Sequence, residues 1–222
     1  MREGLPRLVV ATGTAILTAR GNYLPVPPSE IGAMLDLQEF FVKEHAGMLK
    51  MSNTYDILNP ANQKKVGVAQ EKPSMLLRMI LKDKAPTMVE MRDSQEKLVF
   101  TIKKPLKLFG RPKIAVFNAE NKQLGYFVTK IFSLGGGFDI YAPDGKHMAE
   151  VKGNWKSKEF KITTPEQKEL GKVSKQFAGM AKELFTSADN YVVSVSDRAA
   201  NDEDTKILVL AAALTIDMVL KE

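Results

Sequence analysis

Five stretches of this chain repeat one pattern: a short β-rich arm, a polar turn, a lysine and a second arm. They read YDILNPANQKKVGVAQ, MVEMRDSQEKLVFTI, IAVFNAENKQLGYFV, FDIYAPDGKHMAEVK and FKITTPEQKELGKVS. The turn cores fall near Asn59, Asp93, Asn118, Pro143 and Thr164, spaced by 34, 25, 25 and about 22 residues. Asn-Pro, Asp-Ser, Pro-Asp-Gly and Thr-Pro reverse a chain, and the arms are rich in β-branched and aromatic residues, so each stretch predicts a β-hairpin. Two-residue alternation puts Ile114 and Val116, then Phe127 or its neighbours, on a common side of the sheet. Ten such strands, with NYVVSVSD near the end, make a sheet too large to stay open, and closure into a barrel removes its edges.

A barrel of that size is wider than its own side chains can fill. The chain supplies a filler in ILVLAAALTIDMVL, residues 207–220. Fourteen helical residues reach about 21 Å, short of a hydrocarbon slab roughly 30 Å thick. The run also carries Thr215 and Asp217, and a carboxylate in lipid costs on the order of 2.5–3.5 kcal/mol. A helix apolar all round belongs in an interior. We therefore expect a central helix over about residues 203–221, capped by Asn201 or Asp202, with Asp217 compensated by hydrogen bonds or a cation, or reaching water near the chain end. KQFAGMAKELF has apolar residues at helical spacing and is expected to cover one mouth of the barrel.

The chain has no cysteine and only two histidines, His45 and His147, far apart in sequence. Disulfides, thiolate chemistry, a Ser/His/Asp triad and a two-histidine zinc site are thereby disfavoured, and no enzymatic activity is expected. Gly135, Gly136 and Gly137 precede a strand and no Gly-Lys-Ser/Thr follows, so they read as a hairpin turn and not as a nucleotide loop. Residues 1–38, with an Arg-bearing start, a mildly apolar middle and a Pro-rich exit, are expected to be a flexible extension or a non-conforming targeting segment; 39–222 form one domain. Charge is uneven. Between Lys97 and Lys175 lie 16 basic and 7 acidic residues, a net +9, while the remainder is −3. Such a cationic half suits a phosphate-bearing partner.

From about Phe41 onward, FFVKEHAGMLKMSNTYDILNP, GRPKIAVFNAENKQLGYFVTKIFSLGGGFDIYAPDGK, VKGNWKSKEFKI, AKELFTSADNYVVSVSD and LTIDMVLKE occur in that order. Their order resembles the phospholipid scramblase and tubby-like group, especially bacterial scramblase-like relatives that also resemble LURP-one-related proteins. The resemblance covers some 180 of 222 residues. It implies a mainly β fold with α: a closed antiparallel tubby-like β-barrel of about 12 strands around a buried C-terminal hydrophobic helix. It further implies scramblase-type, calcium-dependent movement of phospholipid between leaflets, or phosphoinositide binding by basic side chains as in tubby domains. The expectation is a cytoplasmic or membrane-peripheral protein that binds anionic phospholipid headgroups. The alternative is a soluble β-barrel module holding a protein partner without moving lipid. No nucleic-acid partner is expected, because neither a recognition helix nor an aromatic stacking array accompanies the lysines.

Phosphate binding needs Lys or Arg near the surface, each worth about 1 kcal/mol at an anionic leaflet. KKPLKLFGRPK offers Lys103, Lys104, Lys107, Arg111 and Lys113, interleaved with Leu106, Leu108 and Phe109 for shallow insertion; the competing role is a connection whose leucines enter the core. KGNWKSKEFK sets Lys152, Lys156, Lys158 and Lys161 around Trp155, the only tryptophan, with Lys156 and Lys158 as further headgroup candidates; Trp155 is expected to fill a barrel mouth, with a place at the membrane interface as the alternative. The acidic segment SDRAANDEDTK makes Asp202 and Asp204 the calcium candidates, with helix capping as the competing role. It lacks the alternating spacing of a calcium loop. Two departures from animal scramblases also stand out, the missing Cys cluster for palmitoylation and the missing PxxP-type N-terminal region.

Overall fold

The computed structural model describes residues 15–17, 23–25, 34–45, 53–81, 85–106, 110–130, 137–154, 159–174 and 190–220. A two-stranded ribbon pairs β1 (Ala15–Leu17) with β2 (Tyr23–Pro25). Twelve strands then follow: β3 (Glu39–Glu44), β4 (Thr54–Leu58), β5 (Lys65–Pro73), β6 (Thr87–Asp93), β7 (Leu98–Lys104), β8 (Lys113–Asn118), β9 (Gln123–Thr129), β10 (Gly137–Tyr141), β11 (His147–Asn154), β12 (Glu159–Thr163), β13 (Glu169–Ser174) and β14 (Tyr191–Val195). Each pairs antiparallel with the next, and β14 pairs with β3, where Val192 lies opposite Phe41. The result is an up-and-down barrel with no free edge. Three helices complete the described chain: α1 (Met75–Leu81), α2 (Asp197–Ala200) and α3 (Glu203–Leu220).

All five expected hairpins are present, and four share one turn. The N–H of Asp93, Asn118, Ala142 and Thr164 donates to the carbonyl of Lys97, Lys122, Lys146 and Lys168 respectively. The residue before each lysine has a left-handed backbone: Glu96 (φ 64°), Asn121 (60°), Gly145 (92°) and Gln167 (61°). This is a type I turn closed by a left-handed residue, a favoured hairpin connection. Side chains lock it, since the lysine N–H donates to Asp93 Oδ1 (2.9 Å), Asn118 Oδ1 (2.9 Å) and Thr164 Oγ1 (3.4 Å). Ala142 lacks an acceptor, and Asp144 Oδ1 takes the Lys146 N–H at 2.9 Å instead. The repeated lysine thus follows the turn whose geometry sets the strand register.

Alternation then fills the interior. Ile114, Val116 and Phe127 are buried in one cluster with Phe40, Phe100 and Phe138, as their parity predicts. The expected central helix is α3, 18 residues and about 27 Å long. Residues 206–218 are all buried. Its position is fixed from several sides. A Cβ on Gly171 of β13 would lie 2.6 Å from Val209 Cγ1, and one on Gly125 of β9 would lie 3.4 Å from Leu208 Cδ2 and 2.6 Å from the Tyr141 carbonyl. These glycines let the wall approach the helix. Near its other end, Tyr55 of β4 donates to Asp217 Oδ2 at 2.5 Å and Tyr191 of β14 donates to the Ala213 carbonyl at 3.5 Å. The first turn of α3 leaves a cavity of about 480 Å³ against β10–β13, lined by Ile140, Met148, Ile162, Leu170 and Leu208 among others.

Met34 and Leu35, inside the expected N-terminal extension, are buried in the core. The Lys206 ammonium, also buried, donates to the Leu35 carbonyl and ties that segment to α3. Burial holds the Lys206 pKa below its ordinary value. The segment KQFAGMAKELF, expected to be helical, lies outside the described residues, as do Gly135 and Gly136.

Candidate lipid-facing surface

Because consecutive strands are antiparallel, the barrel has two unlike ends. One carries the five short hairpin turns, α2 and the first turn of α3; the other receives the connections β3–β4, β5–β6, β7–β8, β9–β10, β11–β12 and β13–β14. We term these the turn rim and the loop rim. KKPLKLFGRPK ends β7 and crosses the loop rim to β8.

The strand geometry distributes its cations unequally. Lys103 faces out, but its ammonium lies 4.3 Å from the Phe117 ring centroid and 3.3 Å from Asn121 Oδ1, leaning along the wall toward the turn rim. Lys104 has the opposite parity. It follows Phe100 and Ile102 onto the inner face, is buried, and is not free of partners. Glu44, Glu71 and Asp217 are buried toward the same mouth, so Lys104 belongs to a polar collar inside the barrel. Arg111 is exposed and donates to the Thr129 carbonyl at 3.3 Å. Lys113 is exposed, with its ammonium 4.5 Å from the Tyr126 ring centroid. Ring faces attract such cations and hold them in place. Lys107, Lys156, Lys158 and Trp155 lie outside the described residues.

The polar collar accounts for Asp217. Burial raises the Tyr55 hydroxyl's pKa far above its ordinary 10.0, and the charge and hydrogen bond of Asp217 push the same way, so Tyr55 remains a donor. Of the three compensations expected for Asp217, the structure supplies the hydrogen bond.

On the outer wall beside β8 and β9, charges are neutralised. Lys130 Nζ bridges Asp139 Oδ1 and Glu150 Oε2, both at 2.9 Å, and Lys152 Nζ meets Glu150 Oε1 at 2.5 Å. Burial alone raises the Glu150 pKa. Hydrogen bonds from Lys152 and Lys130 outweigh it and bring the carboxyl to about 2. This patch is saturated with internal partners.

The structure adds an element that the residue-by-residue reading did not name. In the β5–β6 connection, α1 presents Leu77, Met79 and Ile80 with 38%, 81% and 77% of their surface exposed. Across the rim, Leu106 is 38% exposed instead of tucked into the core. The first two turn cores are 34 residues apart where the next two gaps are 25, and that excess holds α1; the spacing was the available signal.

A sequence model described as Scramblase matches residues 24–222. The chain belongs to the scramblase family. No curated protein and no solved structure matches it. Membership gives this scramblase-family chain a lipid-related role in general, and the family is not an enzyme family. Among the described residues no helix is long and apolar enough to cross a membrane.

The scramblase-family acidic segment is also resolved into contacts. Asp202 Oδ2 accepts from the Thr205 hydroxyl while its carbonyl accepts the Lys206 N–H at 2.9 Å, the pattern of a helix N-cap. Asp204 Oδ2 lies 3.4 Å from Lys122 Nζ. Among the described residues, no group of three or more His, Asp and Glu could hold a metal ion.

Proposed function

We propose that this scramblase-family protein acts peripherally at membranes, binding anionic phospholipid headgroups through the basic side of its loop rim and aiding lipid movement between leaflets without covalent chemistry. One observation carries the reading: the β7–β8 connection joins exposed Leu106 to Arg111 and exposed Lys113, an apolar contact for the interface beside cations for phosphate. Family membership supports the lipid class.

Vesicle co-sedimentation across a series of anionic lipid contents, at low and high salt and with and without calcium, tests it. Binding should rise with anionic lipid and fall with salt, because surface charge is screened beyond about 10 Å at 0.1 M. Arg111→Glu with Lys113→Glu should weaken binding at least tenfold. Indifference to lipid charge would refute the headgroup reading, and a co-purifying protein without any lipid response would support the interaction-module alternative. Fluorescent-lipid exchange in proteoliposomes separates moving lipid from touching it.

A further inference from the structure

Leu77, Met79, Ile80 and Leu106 are the large hydrophobic side chains that stand exposed among the described residues, and all four sit at the loop rim. Their two connections leave from neighbouring points: Pro73 pairs with Thr87, and Thr87 with Lys104. Beside them at this rim stand the exposed Arg111 and Lys113. The opposite end has the reverse balance where α3 begins, with Asp197, Asp202, Glu203 and Asp204 against Arg198. One end of the barrel is apolar and cationic, and the other is polar with an acidic centre.

Scattered exposed hydrophobics mean little, but a cluster confined to one pole and flanked by one sign of charge is a recognition surface. Its complement has to be apolar beneath and anionic on top, which describes the headgroup boundary of an anionic bilayer. We infer that the protein docks end-on, with Met79 and Ile80 of α1 and Leu106 of the β7–β8 connection inserted below the headgroups. The acidic start of α3 then faces away from the membrane. Repulsion at the turn rim and attraction at the loop rim favour this pose over the inverted one, and they orient the molecule before contact. The inference rests on the headgroup reading above, and adds to it which end meets the lipid and which side chains enter.

The cysteine-free chain allows a direct test. Met79→Cys and, at a turn-rim tip, Glu120→Cys are each labelled with a polarity-sensitive fluorophore and mixed with anionic vesicles, with and without bromine-labelled acyl chains. The label at 79 should shift blue and be quenched by the bromines, while the label at 120 stays in water. The double variant Met79→Ser, Ile80→Ser, which alters exposed side chains only, should lower vesicle partitioning at least tenfold and keep the salt dependence. Vesicle binding with an unquenched label at 79, or quenching at 120, overturns the end-on pose while leaving headgroup binding intact. A label at 79 already shielded without lipid, in a species of twice the mass, overturns it in favour of a second copy on this patch. Unmodified protein that fails to bind anionic vesicles removes the headgroup reading and this pose with it.

Discussion

Asp217 shows how a single side chain can be buried beside apolar neighbours. Its Oδ2 accepts a 2.5 Å hydrogen bond from Tyr55, whose hydroxyl stays protonated because burial and the carboxylate itself oppose ionisation. Removing the donor takes one hydrogen bond from a buried carboxyl group, which costs about 1–3 kcal/mol. Tyr55→Phe is therefore expected to lower stability by that amount in chemical denaturation, whereas Asp217→Asn, which keeps an acceptor toward Tyr55, should cost less. Glu96 offers the opposite case. It occupies a left-handed position, φ 64°, where the equivalent residue two strands on is Asn121. Left-handed backbone costs an ordinary residue roughly 1–2 kcal/mol, and asparagine visits it more readily. Glu96→Asn should raise the denaturation midpoint by about 0.5–1 kcal/mol equivalent. Glu150 gives a pH signature. Its carboxyl, at about 2 against an ordinary 4.5, contributes stability that is complete above 4.5 and lost as pH falls toward 2. The cost of Glu150→Gln should be on the order of 2 kcal/mol at pH 7 and shrink toward nothing near pH 2, as read from denaturation curves at several pH values.

At the scale of elements, legibility followed locality. The five hairpins could be read because an Asp, Asn or Thr at four of the turn starts, and a left-handed residue before the lysine in all five, act within six residues. The terminal helix was legible because a run apolar on every side has few places to go. By contrast, β3 and α1 carry no such punctuation. EFFVKE has too few alternations to stand apart, and MLLRMIL has no acidic residue in its first turn. The candidate site was legible as a count of cations and only partly as a placement. Lys104 follows Phe100 and Ile102 in strict alternation, so its inward direction was readable once β7 was extended to it. Lys103 lies over Phe117 through a neighbouring strand, a contact that sequence separation hides. The wall-to-helix fit also had no local signature. Gly171 is required because Val209 approaches it from 38 residues away, and a Cβ there would sit 2.6 Å from Val209 Cγ1 and 2.8 Å from the Ser194 carbonyl. Gly171→Val should destabilise by at least about 1–3 kcal/mol through overpacking, measurable as a lower melting temperature.

For the molecule as a whole, barrel and helix form one cooperative object. A closed twelve-stranded wall leaves an interior that its own side chains do not fill, and α3 occupies it with Ile207, Leu208, Val209, Leu210, Leu214, Ile216 and Met218, all buried. At about 1.5–3 kcal/mol per large apolar side chain, those seven contribute on the order of 10–20 kcal/mol. A domain of this kind has only about 5–15 kcal/mol of net stability. The comparison decides what happens without the helix: the deficit exceeds what the wall retains, and the inward rings of Phe40, Phe100, Phe127 and Phe138 would face a water-filled bore. A chain ending at residue 202 is accordingly expected to lose its sharp thermal transition, bind a hydrophobic dye and show collapsed near-ultraviolet circular dichroism. For the intact chain, helical and aromatic signals should fall together in one transition, because neither part is stable without the other. A truncated barrel that still melted sharply would show that the wall holds itself together, and would free α3 to leave the interior during lipid contact. Coincident loss keeps α3 inside, and leaves the loop rim as the proposed membrane-facing surface.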